Sequence, residues 1–434
     1  MAKRNTQVTT DALPLVALEM GSDSLRALAA ERIGDDMLRI LGYEESRKHH
    51  CVDRGVVTRS SDAGFMISEV LKKLGNRINC ENLPTAFVLL GGRSMQVVAV
   101  GCKRDLIHKR AIPAALLQEM EAECRNKIEQ KHPEAAVLAI VPSYYCLDGQ
   151  EQEERPRPDQ RAAQFEAHYI AFVGKRELKD KVQDSFDRSG KSIEQAFARP
   201  EALLSAFIPD NPDVLYDGCG VLDFGAETTT LSIFKGTEYL YTKVVALGSD
   251  HITRLLTHQG ISRNHAEKLK TQYGFASPDL VSDKDNLRMR VPTVDGEPLT
   301  ITTREVAQLI RQKLDEILTP LLEGLSPFES RISVLYITGG GSLLQGIDSY
   351  LQSKTGVQVL YGSHAPLLAP DTEDEFFSPR YSSLVGALIL GSDYREAHPG
   401  QKVPPAKIGD AVGDLLLKIF TDTETSTQTI QNHD

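Results

Sequence analysis

One short pattern occurs twice in this chain, and its spacing limits the folds that the chain can adopt. Residues 16–28 (VALEMGSDSLRAL) and 220–232 (GVLDFGAETTTLS) both combine an apolar run, an acidic residue, an apolar residue, a glycine and then small, acidic or hydroxyl-bearing residues. The two acids, Glu19 and Asp223, lie about 200 residues apart, whereas solenoid units repeat every 20–50 residues. A repeat at this distance predicts two similar halves that face one cleft.

Each copy of the repeat predicts a β-hairpin with a glycine at its tip. Glycine tolerates positive φ and lets an anion approach the backbone, so N–H groups at such a tip can bind phosphate. Ser22 and Ser24 add hydroxyl donors on one side, and Thr228 and Thr229 add them on the other. The carboxylate before each glycine is placed to hold Mg²⁺, which prefers oxygen ligands and keeps several waters. An ordinary glycine turn remains the alternative for either copy alone.

A third glycine-rich element lies at 334–347 (VLYITGGGSLLQGI), where an apolar run predicts a buried strand that leads into three glycines. Gly339, Gly340 and Gly341 would let a flat base or ribose lie against the backbone. We predict that a helix opens at Ser342, and a helix N-terminus favours an anionic neighbour. A flexible turn is the alternative for such a glycine run.

Charge and cysteine content exclude several functional classes. A formal net charge of −11 disfavours sequence-independent binding of nucleic acid, which needs a basic surface to release counterions. The six cysteines form no C-x-x-C pair and have no histidine at zinc-ligand spacing, which predicts reduced thiols in a cytosolic protein. Residues 1–13 have no apolar signal-peptide core and predict a disordered lead. No apolar run approaches the roughly 20 residues of a membrane span.

These elements together resemble a known nucleotide-binding set. Two acid-x-Gly hairpins with a strand–Thr-Gly-Gly-Gly element are the arrangement of the actin superfamily, which includes actins, heat-shock chaperone ATPases and sugar kinases. Within it, the chain is most similar to the FtsA family of bacterial cell-division proteins, over roughly residues 14–391. The stretches that carry this resemblance are VALEMGSDSLRALAAE at 16–31, GVV at 55–57, AVLAIVPSYYCLDG at 136–149, HAEKLKTQYG at 265–274 and SPRYSSLVGALIL at 378–390.

The resemblance implies an α/β fold in which actin-like (ribonuclease H-like) domains are duplicated around a nucleotide cleft, with an FtsA-type inserted subdomain. The implied parts are a lead (1–13), a first half (14–83, with 179–216 and 378–391 returning to it), the inserted subdomain (84–178), a second half with a large subdomain (217–249 and 325–377) and a small subdomain (250–324), a linker (392–407), an amphipathic helix (408–420) and a polar tail (421–434).

The resemblance also implies ATP or ADP with Mg²⁺ as ligands. The nucleotide would contact Gly21, Ser22, Asp23, Ser24, Gly225, Thr228, Thr229, Glu267, Lys270, Gly339, Gly340 and Gly341, and Asp223 and Glu19 would hold the metal. The sequence departs from the family where Glu19 and Thr230 replace aspartates and where Ala226 and Glu227 replace glycines. Because Glu227 would bring a negative charge near the phosphates, we predict nucleotide binding with at most slow hydrolysis, and we assign no catalytic residue.

Residues 408–420 (IGDAVGDLLLKIF) have an amphipathic pattern and follow a Pro- and Gly-bearing stretch. At about 100° per residue, the apolar positions other than Leu417 share one arc, and Asp410, Asp414 and Lys418 lie opposite. Two interpretations are open: a helix docked on the protein or a partner, or an interfacial membrane anchor. FtsA proteins are similar in carrying such a helix. The membrane-facing residues would be Ile408, Val412, Leu415, Leu416, Ile419 and Phe420.

By resemblance, the chain is a cytoplasmic, actin-like division protein on the inner face of the membrane at the division site. It would self-associate into filaments, tether the FtsZ ring, recruit other division proteins and bind no nucleic acid. The FtsZ C-terminal tail would bind the second half's small subdomain, where Arg288, Arg304 and Arg311 can meet an acidic peptide; a solvated basic face is the alternative. Rival functions on the same fold are a PilM-type pilus-assembly adaptor and a small-molecule kinase.

Overall fold

The structure is a computed structural model that describes residues 13–397, except 35–36, 48–49, 81, 153–155, 158, 209–210, 212 and 237. The predicted amphipathic segment 408–420 lies outside the described residues. In chain order the strands are β1 (Leu15–Met20), β2 (Ser24–Ile33), β3 (Met37–Arg47), β4 (Val52–Asp53), β5 (Val56–Val57), β6 (Thr85–Leu90), β7 (Gln96–Ala111), β8 (Ala135–Leu147), β9 (Gln150–Gln152), β10 (Arg161–Lys175), β11 (Ser192–Ala198), β12 (Cys219–Phe224), β13 (Thr229–Lys235), β14 (Glu238–Val245), β15 (Arg288–Val291), β16 (Leu299–Thr302), β17 (Val334–Thr338) and β18 (Gln358–Tyr361). The helices are α1 (Ser60–Arg77), α2 (Ala114–Lys131), α3 (Arg176–Ser189), α4 (Arg199–Phe207), α5 (Val214–Asp217), α6 (Ser249–Thr257), α7 (Arg263–Tyr273), α8 (Thr303–Leu325), α9 (Ile347–Thr355) and α10 (Ser382–Ala397).

Two five-stranded sheets share one topology. Their strand orders are β3-β2-β1-β6-β11 and β14-β13-β12-β17-β18. In each sheet the first three strands form an antiparallel meander, and the last two strands join in parallel. The predicted duplication is therefore confirmed, with β1 and β12 as the equivalent strands that carry the repeated sequence pattern.

The central strands β1 and β12 are buried along their whole length because both faces of each sheet are covered. In the first half, α1 lies over one face, and α4 and α10 lie over the other. α10 lies so close to α4 that a Cβ atom on Gly386 would fall 1.7 Å from the carbonyl oxygen of Ala202. One apolar cluster continues through α4 into the second sheet, where the rings of Phe207 and Tyr336 lie 5.6 Å apart.

A four-stranded sheet of order β7-β10-β8-β9, packed against α2, is inserted between β6 and β11. The insertion begins later than the predicted residue 84. Residues 85–90 form β6, which pairs in parallel with β1 in the first sheet (Ala17 opposite Phe87). The two neighbouring apolar runs at 86–91 and 95–100 therefore belong to different sheets.

The two ends of the described chain meet at Arg395 in α10. Its guanidinium donates hydrogen bonds to the carbonyl oxygens of Leu13 (2.7 Å) and Pro14 (3.3 Å) and pairs with the buried Glu194 carboxylate at 2.6 Å. Because α10 continues to Ala397, the predicted linker at 392–407 does not begin at residue 392.

Candidate nucleotide-binding cleft

A cleft with a cavity volume of about 1020 Å³ lies between the two halves, and both repeated hairpins line it. Most of the predicted site residues lie in its wall. They are Glu19, Gly21, Ser22, Asp23, Ser24, Asp223, Gly225, Thr228, Glu267, Lys270, Gly339 and Gly340. Thr229 and Gly341 do not line the cleft.

The two hairpin tips have the same geometry. The Gly21 N–H donates to the carbonyl oxygen of Ser24 at 3.0 Å, and the Gly225 N–H donates to that of Thr228 at 2.9 Å. Ser22 is further held because its hydroxyl accepts a hydrogen bond from the Gly55 N–H at 3.0 Å. Both turns therefore place small, polar residues at the cleft wall, as the repeat predicted.

Thr229 is the clearest error within the hairpins. It is the first residue of β13, is fully buried, and donates its hydroxyl to the carbonyl oxygen of Leu247 at 2.9 Å. Its neighbour Thr228 lines the cleft. Side chains alternate across a strand, so adjacent threonines at its start cannot both face one ligand.

The glycine loop after β17 differs from the prediction at two points. A 3₁₀ turn spans Gly340–Leu343, and α9 begins only at Ile347, so no α-helix opens at Ser342. Gly339 has a φ of +83°, and a Cβ atom there would lie 2.6 Å from the Asp223 carboxylate. Gly341 faces the ring of Phe224 rather than the cleft. Gly339 and Gly340 are the glycines that border the cavity.

Glu267 and Lys270 of α7 lie side by side at the cleft wall of the second half. Lys270 Nζ is 2.8 Å from the Glu267 carboxylate and donates to the Thr253 hydroxyl at 2.9 Å. Burial tends to raise the pKa of Glu267, but the charge of Lys270 and the hydrogen bonds from Lys270 and Thr253 lower it overall. The Glu267 carboxylate is therefore charged at neutral pH, and hydrogen bonds hold both side chains in position.

The Glu227 carboxylate lies at the cavity but already has hydrogen-bond partners in the protein. Its carboxylate accepts hydrogen bonds from the Arg54 N–H at 3.0 Å and from the Arg254 guanidinium at 2.5 Å. Burial tends to raise its pKa, but bonds from Arg54, Ser22 and Arg254 lower it overall. Because Arg54 and Ser22 belong to the first half and Arg254 to the second, Glu227 links the two walls of the cleft.

The predicted metal carboxylates are both paired with arginines. Glu19 accepts hydrogen bonds from Arg26 at 2.5 Å and from the Ser383 hydroxyl at 3.0 Å, and its second oxygen contacts Arg199. The same Arg199 brings its Nε to 3.0 Å from Asp223. Two guanidinium groups thus already balance two carboxylates, and this donor set does not fit Mg²⁺.

Arg26 and Arg199 are the functional candidates that sequence reasoning missed. Arg26 lies directly opposite Glu19 in the β1–β2 register, so the hairpin pattern held a signal for it. Arg199 starts α4, which follows β11 in the first half, and it reaches Asp223 in the second half. A contact between such distant segments has no local sequence signature.

A second group of ligand-type side chains lies on the inserted sheet, away from the cleft. Cys146, Glu166 and His168 bring one ligand atom each within 4.8 Å of one another. Glu166 is paired with Lys103 at 3.0 Å, and the His168 ring stacks on Tyr144 with centroids 4.2 Å apart. Glu166 thus has its charge partner without a metal.

The three arginines predicted to bind the FtsZ tail differ in whether they already have an acidic partner. Arg304 pairs with Asp283 at 3.3 Å, and Arg311 pairs with Asp279 at 2.9 Å. Arg288 is exposed on β15, and within the described part of the chain it has no ion pair. None of the described helices is long and apolar enough to cross a membrane.

The two similar halves around one cleft form an actin-like fold. A chain of the PilM–PilN type IV pilus biogenesis complex is similar with a TM-score of 0.63 at 18% identity, over 87% of this chain and 98% of that one. MreB5 of Spiroplasma citri bound to AMPPNP is similar with a TM-score of 0.51 at 14% identity, over 89% and 98% of the two chains. The predicted fold class is confirmed.

Within that class, the sequence matches one family. A family model described as cell division protein FtsA matches residues 220–386. Proteins named cell division protein FtsA are similar over most of their length: that of Escherichia coli K12 is 21% identical (94% of this chain, 97% of that protein) and that of Porphyromonas gingivalis W83 is 22% identical (92% and 82%). The chain is similar to proteins named cell division protein FtsA, and the resemblance read from the sequence is confirmed.

Proposed function

We propose that the chain binds an adenine nucleotide in the cleft and acts as an FtsA-type adaptor in cell division. The observation that carries the nucleotide site is the convergence of two hairpin tips, the Gly339–Gly340 turn and the Glu267–Lys270 pair on one cavity. A phosphate chain needs N–H and hydroxyl donors at close range, and an adenosine needs a wall of small residues. The solved MreB5 relatives of the same fold hold AMPPNP and ADP.

Calorimetric titration with ATP and with ADP tests the nucleotide site. We expect Lys270→Ala to weaken binding about tenfold, which corresponds to about 1.4 kcal/mol, because the change removes a cleft cation and leaves the Glu267 charge without its lysine partner. The matched control is Lys268→Ala on the same helix, whose side chain is exposed and does not line the cleft. No binding to the wild-type protein, or equal loss in both variants, contradicts the site.

The adaptor role follows from the family resemblance: self-association into filaments, attachment of the FtsZ ring to the inner face of the membrane, and recruitment of other division proteins. The FtsZ tail would bind the small subdomain of the second half, beside Arg288, Arg304 and Arg311. Because Arg304 and Arg311 already have acidic partners, Arg288 offers the least compensated charge of the three.

A pull-down with the FtsZ C-terminal tail peptide tests this role. We expect wild-type protein to bind the peptide and Arg288→Glu to weaken binding more than Arg304→Glu, with the difference shrinking as salt screens the charges. The control is Arg188→Glu on α3, an exposed residue of the first half. If Arg288→Glu and the control bind alike at every ionic strength, the small subdomain is not the peptide site.

A further inference from the structure

One arginine stands between the two repeated carboxylates, and it has no counterpart in the sequence repeat. Arg199 contacts Glu19 of the first hairpin and Asp223 of the second, although the two acids belong to different halves. The acid side chains are 4% and 8% exposed, so their charges are shielded from water and need a partner inside the cleft.

The start of α4 fixes where Arg199 can reach. Pro200 follows at once, and the Glu201 carboxylate accepts a hydrogen bond from the Ala198 N–H at 3.3 Å, which caps the helix. Gly91 packs beside the arginine stem, where a Cβ atom would lie 3.6 Å from Arg199 Cβ. The backbone therefore holds the guanidinium at the junction of the two halves.

Both carboxylates that a divalent cation would use already have arginine partners. Arg26 and Ser383 hold one oxygen of Glu19, and Arg199 contacts the other. On Asp223, one oxygen faces Arg199 Nε and the other faces Gly339. A dication placed among these groups would meet two fixed positive charges and find no carboxylate in excess.

The guanidinium also keeps hydrogen-bonding capacity. Arg199 Nε is buried and makes no hydrogen bond within the described structure, since its contact with Asp223 is an ion pair without hydrogen-bond alignment. A buried N–H without an acceptor is unfavourable. The Arg199 side chain as a whole is 22% exposed and lines the cleft, so the other N–H groups of its guanidinium can donate to a phosphate oxygen there.

From these contacts we propose that Arg199 takes the place of the divalent metal, so that this chain binds the phosphates of its nucleotide without Mg²⁺. The proposal rests on the nucleotide site proposed above. The arginine neutralises Glu19 and Asp223, as a metal would, and presents an N–H to the phosphates. A fixed monovalent cation replaces an exchangeable divalent one.

The test is calorimetric titration of the intact protein with ATP in EDTA and in Mg²⁺. We expect the wild-type affinity to differ by less than about threefold between the two solutions. Arg199→Ala should bind at least about tenfold more weakly in EDTA, because Glu19 and Asp223 then repel the phosphates. Mg²⁺ should restore most of that loss, since both carboxylates become free to bind it.

The matched control is Arg47→Ala, which removes a cleft arginine that contacts neither Glu19 nor Asp223. It should keep the Mg²⁺ independence of the wild type. If wild-type protein bound ATP in Mg²⁺ but not in EDTA, the proposal would be overturned, whereas the nucleotide site would still be supported. This comparison uses wild-type protein alone, so it does not depend on the folding of a variant. An Arg199→Ala protein that binds like wild type in both solutions would also overturn it. No ATP binding in either solution would overturn the nucleotide site and this proposal together.

Discussion

Glu227 shows how a single carboxylate connects the halves of this molecule. Its side chain is 16% exposed, and its two oxygens face the first half's Arg54 N–H and the second half's Arg254. At the sequence level, the same residue appeared as a negative charge set against the phosphates. In the structure, the Arg254 guanidinium balances its charge, and its contacts with Arg54 and Arg254 connect the two walls of the cleft.

We expect Glu227→Gln to lower the free energy of unfolding by about 1–3 kcal/mol at neutral pH, because the bonds to Arg54 and Arg254 lose their charge. The folded-state pKa lies below the ordinary value of 4.5, so the carboxylate stabilises the fold above that pH. This contribution disappears as the pH falls through the folded-state pKa. Denaturant titrations of both proteins at neutral and acidic pH measure the difference.

The control for this substitution is Glu297→Gln, at an exposed glutamate of the small subdomain that has no ion pair within the described residues. We expect that change to stay within about 0.5 kcal/mol. A gap between wild type and Glu227→Gln that stays constant down to strongly acidic pH would show that the carboxylate's charge is not what stabilises the contact.

At this scale, the sequence predicts residues whose role follows from a local turn. Gly21, Ser22, Gly225 and Thr228 reach the cleft wall because the hairpin alone decides their position. Arg199 was missed because its partners come from distant segments, and only the packed halves bring them together.

At the scale of single elements, the segment 408–420 carries the tethering hypothesis. If it is an interfacial helix, Leu416→Glu with Ile419→Glu should abolish co-sedimentation with anionic vesicles, because each buried side chain contributes roughly 1.5–3 kcal/mol. ATP binding should be unaffected, since the segment lies after the last described helix.

Lys418→Glu is a charge-matched control, because it also lowers the net charge by two but lies on the polar arc. It should retain more of the vesicle binding than the double variant. If both variants and a truncation after residue 406 sediment like wild type, or if the double variant unfolds the protein, the segment is not a membrane anchor.

Strands and helices were predictable where apolar periodicity is strong. The two predicted hairpins appear as β1–β2 and β12–β13. The α-helix predicted to open at Ser342, after β17, was wrong. A run of glycines carries no periodicity that separates a 3₁₀ turn from an α-helix.

For the whole molecule, the repeated pattern was sufficient to predict duplication, since each copy begins a sheet of the same topology. The start of the insertion was not predictable from the sequence. Apolar strands of two different sheets follow each other with only a short turn between them, and pairing partners decide the boundary.

The Arg395 contacts with Leu13 and Pro14 give the described chain a single exit point on the first half. Anything attached to either end therefore pulls on the same place. If the segment after residue 397 were attached to a surface, the first half would lie next to the attachment point, and the second half would lie on the other side of the cleft. If the cleft opened or closed, the distance between the second half and that surface would change. A hinge motion that depends on the nucleotide would then move the second half toward or away from the surface.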